Sequence, residues 1–188
     1  AFRPDMLTVL DVVAPTYIVD GKPELNPVGV LCHRIEARYK LIVGRPALRL
    51  NVSNSVTGLA GIDIAGIEIA PLSLGDVVLS ENEKDLGCAL INFGAGVTSV
   101  AIYKGGKLID LSVVPLGSNL ITKDITALHV VESEAERLKL TYGAAKADRE
   151  HDMEIPLSAA DGSVRKLNLY ELNSVVEARM DEILQNVY

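Results

Sequence analysis

The sequence has no long apolar run and no cluster of basic residues. No stretch reaches the roughly 18 consecutive apolar residues of a membrane-spanning helix, although 48% of the 188 residues are hydrophobic, enough for one or two domains with cores. The 25 acidic and 18 basic residues give a net charge of −7. Without a lysine and arginine cluster, a nucleic-acid surface is not expected. The chain is therefore predicted to be soluble, with basic partners more natural than nucleic acid.

The patterns typical of metal, redox and nucleophilic sites are also missing. Cys32 and Cys88 are far apart in apolar stretches and lack the C-x-x-C spacing, which predicts buried free thiols in a cytosolic protein. The three histidines have no partner at a spacing typical of a metal site or a catalytic triad. No repeat, low-complexity tract or signal peptide is visible. Because the sequence opens on Ala1 without an initiator Met, we expect that an N-terminal segment is missing.

Two glycine turns organise the middle of the chain. An apolar strand at 88–93 is followed by Gly94-Ala95-Gly96, an alternating strand at 97–103, Gly105-Gly106 and a third strand at 107–115. Strands joined in this way predict a three-stranded antiparallel meander. Gly105-Gly106 lies between two lysines, which is typical of a solvated hairpin tip.

The first of these two turns is also suited to a phosphate group. Glycines at 94 and 96 allow a positive φ or the close approach of a ligand. Successive N–H groups, together with the Thr98 hydroxyl, form the kind of concavity that binds an anion. A lone G-x-G-x-T pattern favours a purely structural hairpin, so both interpretations stay open on this pattern alone.

The first third of the chain has the pattern of a small α/β unit. Strand-like segments precede a turn at Asp20-Gly21. A long strand at Val30–Val43 alternates apolar with charged residues, which predicts one buried and one solvated face. Pro46 is suited to the first turn of a helix whose apolar stripe would cover the sheet. A last strand is expected to run from Ile62 or Ile67 to Ala70.

Helix signals follow a polar segment that separates the two parts of the chain. We expect a short helix within residues 72–84 and then an acidic turn at Ser80–Asp85, which is the predicted domain boundary. Capping-box spacing marks the start of two later helices, with Ser133 and Glu136 in one and Asn168 and Glu171 in the other.

The second half of the chain also contains patterns that predict helices and a hairpin. Apolar residues between Leu120 and Leu128 predict a helix, and Gly143 is expected to end the next one in a left-handed conformation. Apolar segments on either side of Asp161-Gly162 predict an exposed hairpin. The apolar stripe of the last helix is still running at Tyr188, so we expect the natural protein to continue.

Six segments, taken in order, carry a resemblance to a known family. They are 17–21, 26–29, 80–87, 94–98, 114–117 and 134–139, which read Tyr-Ile-Val-Asp-Gly, Asn-Pro-Val-Gly, Ser-Glu-Asn-Glu-Lys-Asp-Leu-Gly, Gly-Ala-Gly-Val-Thr, Val-Pro-Leu-Gly and Glu-Ala-Glu-Arg-Leu-Lys. No single segment is specific, but the ordered set spans nearly the whole chain and resembles the bacterial cell-division protein family FtsA.

The resemblance implies an α/β (α+β) chain, an actin-like (ribonuclease H-like) fragment with an inserted small α/β subdomain, 1C. Residues 1–71 would form the 1C-like unit, 72–85 the connection, and 86–188 part of subdomain 2A. The full-length protein would bind ATP with Mg, polymerise, and link the FtsZ ring and other division proteins to the membrane through a C-terminal helix. Its location would be cytoplasmic, at the inner face of the cell membrane. ATPase activity would be weak at most, and the fragment alone would hold no cofactor.

The same resemblance implies which residues face the nucleotide. The family's second phosphate loop, Asp-Ile-Gly-Gly-Gly-Thr-Thr-Asp, aligns with residues 92–99, and the expected contacts are Asn92, Gly94, Ala95, Gly96, Val97 and Thr98. Asn92 and Ser99 stand where the family has acids, and since an amide brings no negative charge and is no base, this favours binding over hydrolysis. Glu136 and Lys139 match a Glu-x-x-Lys pair near the adenosine and share one helical face. A capping role for Glu136 and a solvated Lys139 remain the alternatives.

Two other functional classes stay open beside the division adaptor. An actin-like sugar or acetate kinase uses the same kind of loop but needs an acidic base near the γ-phosphate, which Asn92 and Ser99 do not supply. A pilus-assembly relative of FtsA would share the subdomain arrangement, and only the segments at 26–29 and 134–139 count against it.

Overall fold

The computed structural model describes residues 6–158 and 162–187, which form eight strands and six α-helices, together with a π-helix at Asn54–Leu59 and a 3₁₀ turn at Thr126–Leu128. The strands are β1 (Thr8–Val19), β2 (Lys22–Glu24), β3 (Ile35–Gly44), β4 (Cys88–Phe93), β5 (Thr98–Lys104), β6 (Lys107–Val114), β7 (Glu154–Ser158) and β8 (Val164–Asn168). The helices are α1 (Pro46–Ser53), α2 (Ala70–Val78), α3 (Glu81–Leu86), α4 (Ser118–Ile125), α5 (Glu132–Tyr142) and α6 (Leu169–Val187). The predicted mixed α/β class is confirmed.

The strands form three small sheets, with the orders β2-β1-β3, β4-β5-β6 and β7-β8. The second of these is the meander predicted from the two glycine turns. The chain divides into two compact units: the first contains the residues up to Ala89 together with Ala101–Asp110, and the second contains Leu90–Val100 and the residues from Leu111 onward.

The first sheet is closed by the predicted turn at Asp20-Gly21. Both residues have positive φ, 45° and 82°, as expected for a two-residue hairpin turn that matches the twist of the strands. The Asp20 carboxylate accepts the backbone N–H groups of His33 and Arg34 at 3.1 and 2.8 Å. This turn therefore also fixes the point at which the chain returns to the sheet.

The long strand of the first unit differs from its prediction in two ways. β3 begins at Ile35 rather than Val30. Its apolar side is not buried, since Ile35, Tyr39 and Leu41 are each at least 50% exposed. The prediction that one face of this strand is buried is therefore wrong.

The helix after β3 begins at Pro46 as predicted and continues as a π-helix to Leu59. None of its residues is buried, and Leu48 is 57% exposed. The prediction that its apolar stripe covers the sheet is therefore wrong. The strand expected from Ile62 or Ile67 is also absent, since residues 61–69 have no regular secondary structure.

The acidic segment at Ser80–Asp85 is a helix, α3, and not the predicted turn. The Ser80 hydroxyl accepts the Glu83 N–H at 3.3 Å, while the Glu83 carboxylate accepts the Ser80 N–H at 2.8 Å. These reciprocal bonds form a capping box. Lys84 is buried and its ammonium donates to Asp76 at 3.0 Å and to Glu81 at 3.2 Å, which joins α3 to α2. The short helix expected before this segment is confirmed as α2.

The second unit has a continuous apolar core between α4, α5, α6 and the β7-β8 hairpin. Its largest fully buried side chains are Ile125, Leu138, Ile155 and Leu172. In the hairpin, Ile155 pairs with Leu167, which confirms the strands predicted there. Both residues are buried in the core, so the prediction of an exposed hairpin is wrong for this side. The central residues of its turn, 159–161, lie outside the described residues.

The helix termini of this unit agree with the sequence in one case and differ in two. The Asn168 side chain accepts the Glu171 N–H at 3.2 Å, as its capping signature predicts. The box predicted for Ser133 and Glu136 is not formed, since α5 begins after Val131 without a side-chain cap. Gly143 has a φ of −65°, so the expected left-handed stop is wrong.

Both cysteines are free and only half-buried, not buried as predicted.

Candidate functional site

The Gly94–Gly96 loop is a tight turn between β4 and β5. The Gly94 N–H donates to the Val97 carbonyl at 2.9 Å. A Cβ atom added at Gly94 would lie 2.7 Å from that same oxygen, closer than real Cβ atoms approach another atom. Glycine at 94 is therefore required by the turn itself.

The first turn of α4 holds this loop in place. The N–H groups of Ser118 and Asn119 donate to the carbonyls of Gly94 and Ala95 at 3.0 and 2.9 Å. A Cβ at Gly117 would lie 2.4 Å from the Ala95 oxygen. The loop and the helix can approach this closely only because position 117 is glycine. The same bonds use the two leading N–H donors of α4, so the loop, and not this helix end, is left to meet an anion.

Open space and free donors remain at the tip of the loop. No backbone bond of the described residues engages the N–H of Ala95 or Gly96. A Cβ built at Gly96 would meet no atom within 4 Å, and its φ lies outside the left-handed region. Gly96 is therefore not needed for the backbone, and the space above it is free for a ligand.

Thr98 and Ser99 are placed inward rather than toward a ligand. Thr98 is fully buried, and its hydroxyl donates to the Leu116 carbonyl at 2.8 Å. Ser99 is only 5% exposed. The Thr98 hydroxyl predicted to contact a phosphate is thus already engaged, and its observed role is to tie the start of β5 to the segment before α4. Asn92 and Val97, in contrast, are exposed.

A second polar cluster joins α4 to α5. Thr122 of α4 donates its hydroxyl to the Glu136 carboxylate at 2.6 Å, and Lys139 donates to the same carboxylate at 2.7 Å. The Lys139 ammonium also donates to the Thr122 hydroxyl at 2.9 Å and to the Ser118 carbonyl at 3.4 Å. The Lys139 side chain is only 13% exposed, so it is neither solvated nor free.

These bonds determine the charge state of the cluster. The Lys139 ammonium, and after it the Thr122 hydroxyl, hold the pKa of Glu136 below its ordinary value. Glu136 is therefore a carboxylate near neutral pH. Its side chain is 41% exposed, which leaves it accessible to a hydroxyl or amino group of a ligand.

The cluster borders a small cavity of about 280 Å³, lined by Asn119, Thr122, Glu132, Ser133 and Glu136. Asn119 also belongs to the turn of α4 that holds the glycine loop. One short helix therefore connects the loop and the cavity. A larger groove of about 590 Å³ lies elsewhere in the unit, along α6, and includes none of the predicted site residues.

The structure brings together part of the predicted set and adds residues that the sequence did not single out. Glu136 and Lys139 share one cluster, as their spacing indicated. Thr122, Asn119 and Gly117 were missed, although the first two lie three residues apart on one face of α4, a spacing that would have paired them. Within the described residues, no group of three or more His, Cys, Asp or Glu side chains is placed to hold a metal ion.

The family model and the relatives that match this chain have the same name. Residues 89–173 match the family model described as "Cell division protein FtsA". The chain is 40% identical over 179 residues to the cell division protein FtsA of Porphyromonas gingivalis, covering 95% of this chain and 37% of that protein. It is 38% identical over 183 residues to FtsA of Bacillus subtilis, covering 95% and 41%. The chain thus spans about two fifths of the length of these relatives.

Comparison with solved structures identifies the fold. A chain of the PilM-PilN type IV pilus biogenesis complex matches with a TM-score of 0.65 and 17% identity, over 98% of this chain and 44% of that one. At this identity the likeness shows the fold alone, and that fold is actin-like, as the family resemblance implied. Among residues 6–158 and 162–187, no helix combines the length and apolarity needed to cross a bilayer.

Proposed function

Because this chain is a segment similar to FtsA over 95% of its length, we propose that it belongs to a cell-division adaptor whose assembly is controlled by ATP. The segment supplies one phosphate-binding loop and one adenosine-side cluster to the nucleotide site. In the proposed site, the N–H groups of Ala95 and Gly96 face the phosphates, and Glu136 faces the adenosine.

The observation that carries this proposal is the open position at Gly96. A structural hairpin requires glycine only where the backbone or a neighbour demands it, which is the case at Gly94. At Gly96 neither applies, and the two free N–H donors of the tip point to an anion as the missing partner.

The other predicted residues take supporting roles in this proposal. Thr98 fixes the loop through its bond to Leu116. Lys139 orients Glu136 and anchors it to α4 through Thr122. Asn92 and Val97 flank the loop at its exposed side.

The wider role is what the family resemblance implies, and it belongs to the same proposal. The full-length protein would polymerise, associate with FtsZ and other division proteins, and lie at the inner face of the cell membrane. The kinase alternative has no acidic group in the loop to support it. The pilus alternative rests on a fold-level likeness at 17% identity, whereas the FtsA sequences match at 38–40%.

The test of the nucleotide site is the substitution Gly96→Val in the full-length protein. Its side chain has room in the fold but fills the space left for the phosphate, so ATP affinity should fall at least about tenfold, the loss of roughly one hydrogen bond to a charged group. Calorimetric titration with ATP measures this, and thermal unfolding verifies that the variant is folded.

Gly66→Val is the matched control, since a Cβ at Gly66 also meets no atom within 4 Å and its φ is not left-handed. It should bind ATP like the unchanged protein. Equal affinity of the Gly96→Val protein and this control would reduce the loop to a structural hairpin.

A further inference from the structure

The glycine loop contains no carboxylate. Asn92, at the end of β4, presents an amide to solvent, and Ser99 presents a buried hydroxyl. Between these two positions the chain offers only backbone groups, apolar side chains and the Thr98 hydroxyl, which is bonded to Leu116. The loop is therefore electrically neutral on the side that would face a nucleotide.

This donor set does not fit a magnesium ion held by the loop. Mg²⁺ is a hard cation that proteins hold through one or two carboxylates together with waters and phosphate oxygens. An amide oxygen donates a lone pair but brings no negative charge. The carboxylate of the neighbouring cluster, Glu136, is already paired with Lys139 at 2.7 Å. The actin-like fold family implies Mg with the nucleotide, but this loop supplies no anionic ligand or base to it.

We propose that the loop binds the nucleotide phosphates through backbone N–H groups alone, and that Asn92 makes this binding nearly independent of divalent cations. This inference rests on the proposed nucleotide site. The inference adds to the proposed site by specifying the form of the ligand: the site accepts both metal-free and metal-bound triphosphates.

The sign of the effect follows from the charges. Metal-free ATP carries its full negative charge, and a carboxylate at position 92 would repel it while attracting its Mg²⁺ complex. The neutral amide does neither. Removal of magnesium should therefore cost this protein little affinity, whereas a protein with an acid at position 92 should lose much of its affinity.

The experiment compares the full-length protein with its Asn92→Asp variant, each titrated calorimetrically with ATP in excess MgCl₂ and in EDTA. We expect the dissociation constant of the unchanged protein to shift less than about threefold between the two conditions. For Asn92→Asp the shift should reach about tenfold or more, with tighter binding in magnesium. With MnCl₂ in place of MgCl₂, binding tighter by about tenfold or more than in EDTA should likewise be seen only in the variant.

Asn26→Asp is the matched control. The Asn26 side chain accepts the Val28 N–H at 3.1 Å in the exposed loop after β2, a bond that a carboxylate also makes, so only the charge changes. This control should behave like the unchanged protein in both buffers.

Two outcomes overturn the inference while leaving the nucleotide site intact. The first is a loss of ATP affinity of tenfold or more in EDTA for the unchanged protein. The second is an Asn92→Asp variant whose magnesium dependence equals that of Asn26→Asp. Absence of ATP binding in either buffer would instead contradict the proposed site itself, and the inference with it.

Discussion

Single glycines in the candidate site have different physical roles, although they look alike in the sequence. Gly94 and Gly117 are needed because their neighbours leave no room for a Cβ, whereas Gly96 faces open space. The spacing of glycines thus identified the loop but not which of them a ligand would require. The glycines that the fold requires differ from Gly96 only in the short distances from a built Cβ atom to the carbonyl oxygens of Val97 and Ala95.

The substitution Gly117→Ala tests the structural role at the scale of one residue. The added methyl would lie 2.4 Å from a backbone oxygen that cannot rotate away, so we expect a loss of about 1–3 kcal/mol in the free energy of unfolding. Chemical denaturation of the chain measures it. The same methyl placed at Gly96 should change stability by less than about 0.5 kcal/mol. Equal stability of the two variants would mean that α4 does not hold the loop as closely as described.

Contacts between elements explain how the second unit keeps its parts in register. Glu134 of α5 is buried, and its carboxylate accepts two bonds from Arg137, each of 2.7 Å, and one from the Ser158 N–H at 2.9 Å. The last of these ties α5 to the end of β7. Arg137 adds a bond to the Pro156 carbonyl at 3.2 Å, so one ion pair joins a helix to a strand.

This ion pair predicts a measurable pH dependence. Chiefly through its hydrogen bonds from Arg137, the pKa of Glu134 falls to about 2, from 4.5. Since the folded pKa is the lower one, the stabilisation is complete above pH 4.5 and disappears as the pH falls from 4.5 toward 2. Glu134→Gln should therefore be less stable than the unchanged chain by about 1–3 kcal/mol at pH 7, with the difference shrinking at pH 3.

Denaturant unfolding at the two pH values provides the measurement. Glu150→Gln, in the exposed loop before β7, is the control and should follow the unchanged chain at both. A difference for Glu134→Gln that stays constant between pH 7 and pH 3 would show that the charge of Glu134 is not what stabilises the contact.

At the scale of the whole molecule, the chain would contain only part of the proposed nucleotide site. It spans 37–41% of the length of the two FtsA sequences described above. The family resemblance implies that a phosphate loop near the N-terminus of the whole protein and a later glycine segment at the adenosine would hold the nucleotide together with the loop at Gly94–Thr98. The proposed site is therefore incomplete in these 188 residues.

We accordingly predict that the 188-residue chain alone binds ATP poorly. Each missing charge-assisted hydrogen bond removes roughly 1.5–3 kcal/mol, and loss of several lowers affinity by at least a few factors of ten. Calorimetry of the purified chain with Mg-ATP should show no saturable binding at micromolar concentrations, while the full-length protein, measured in parallel, should. A clear micromolar isotherm for the chain alone would mean that its own residues suffice.

The sequence by itself determined the features that depend on local chemistry. The turns at Asp20-Gly21 and Gly105-Gly106 follow from residues that tolerate positive φ. The helix at Pro46 follows from a residue that has no N–H to satisfy in the first turn. The cap at Asn168 follows from a side chain that accepts one of the first N–H groups of the next helix. In each case the residues involved are neighbours in the chain, so their pattern contains the whole interaction.

The tertiary structure alone decided which partner each side chain takes. Glu136 had a suitable spacing for a cap with Ser133, but α5 begins one residue before Ser133, and the Glu136 carboxylate instead accepts bonds from Lys139 and from Thr122 of α4. The apolar side of β3 had the right periodicity, yet exposure depends on what packs against it, which no local pattern contains. The same reason separates Gly96 from Gly117: the Ala95 oxygen that leaves no room for a Cβ at 117 belongs to a segment distant in sequence, and only folding brings the two together.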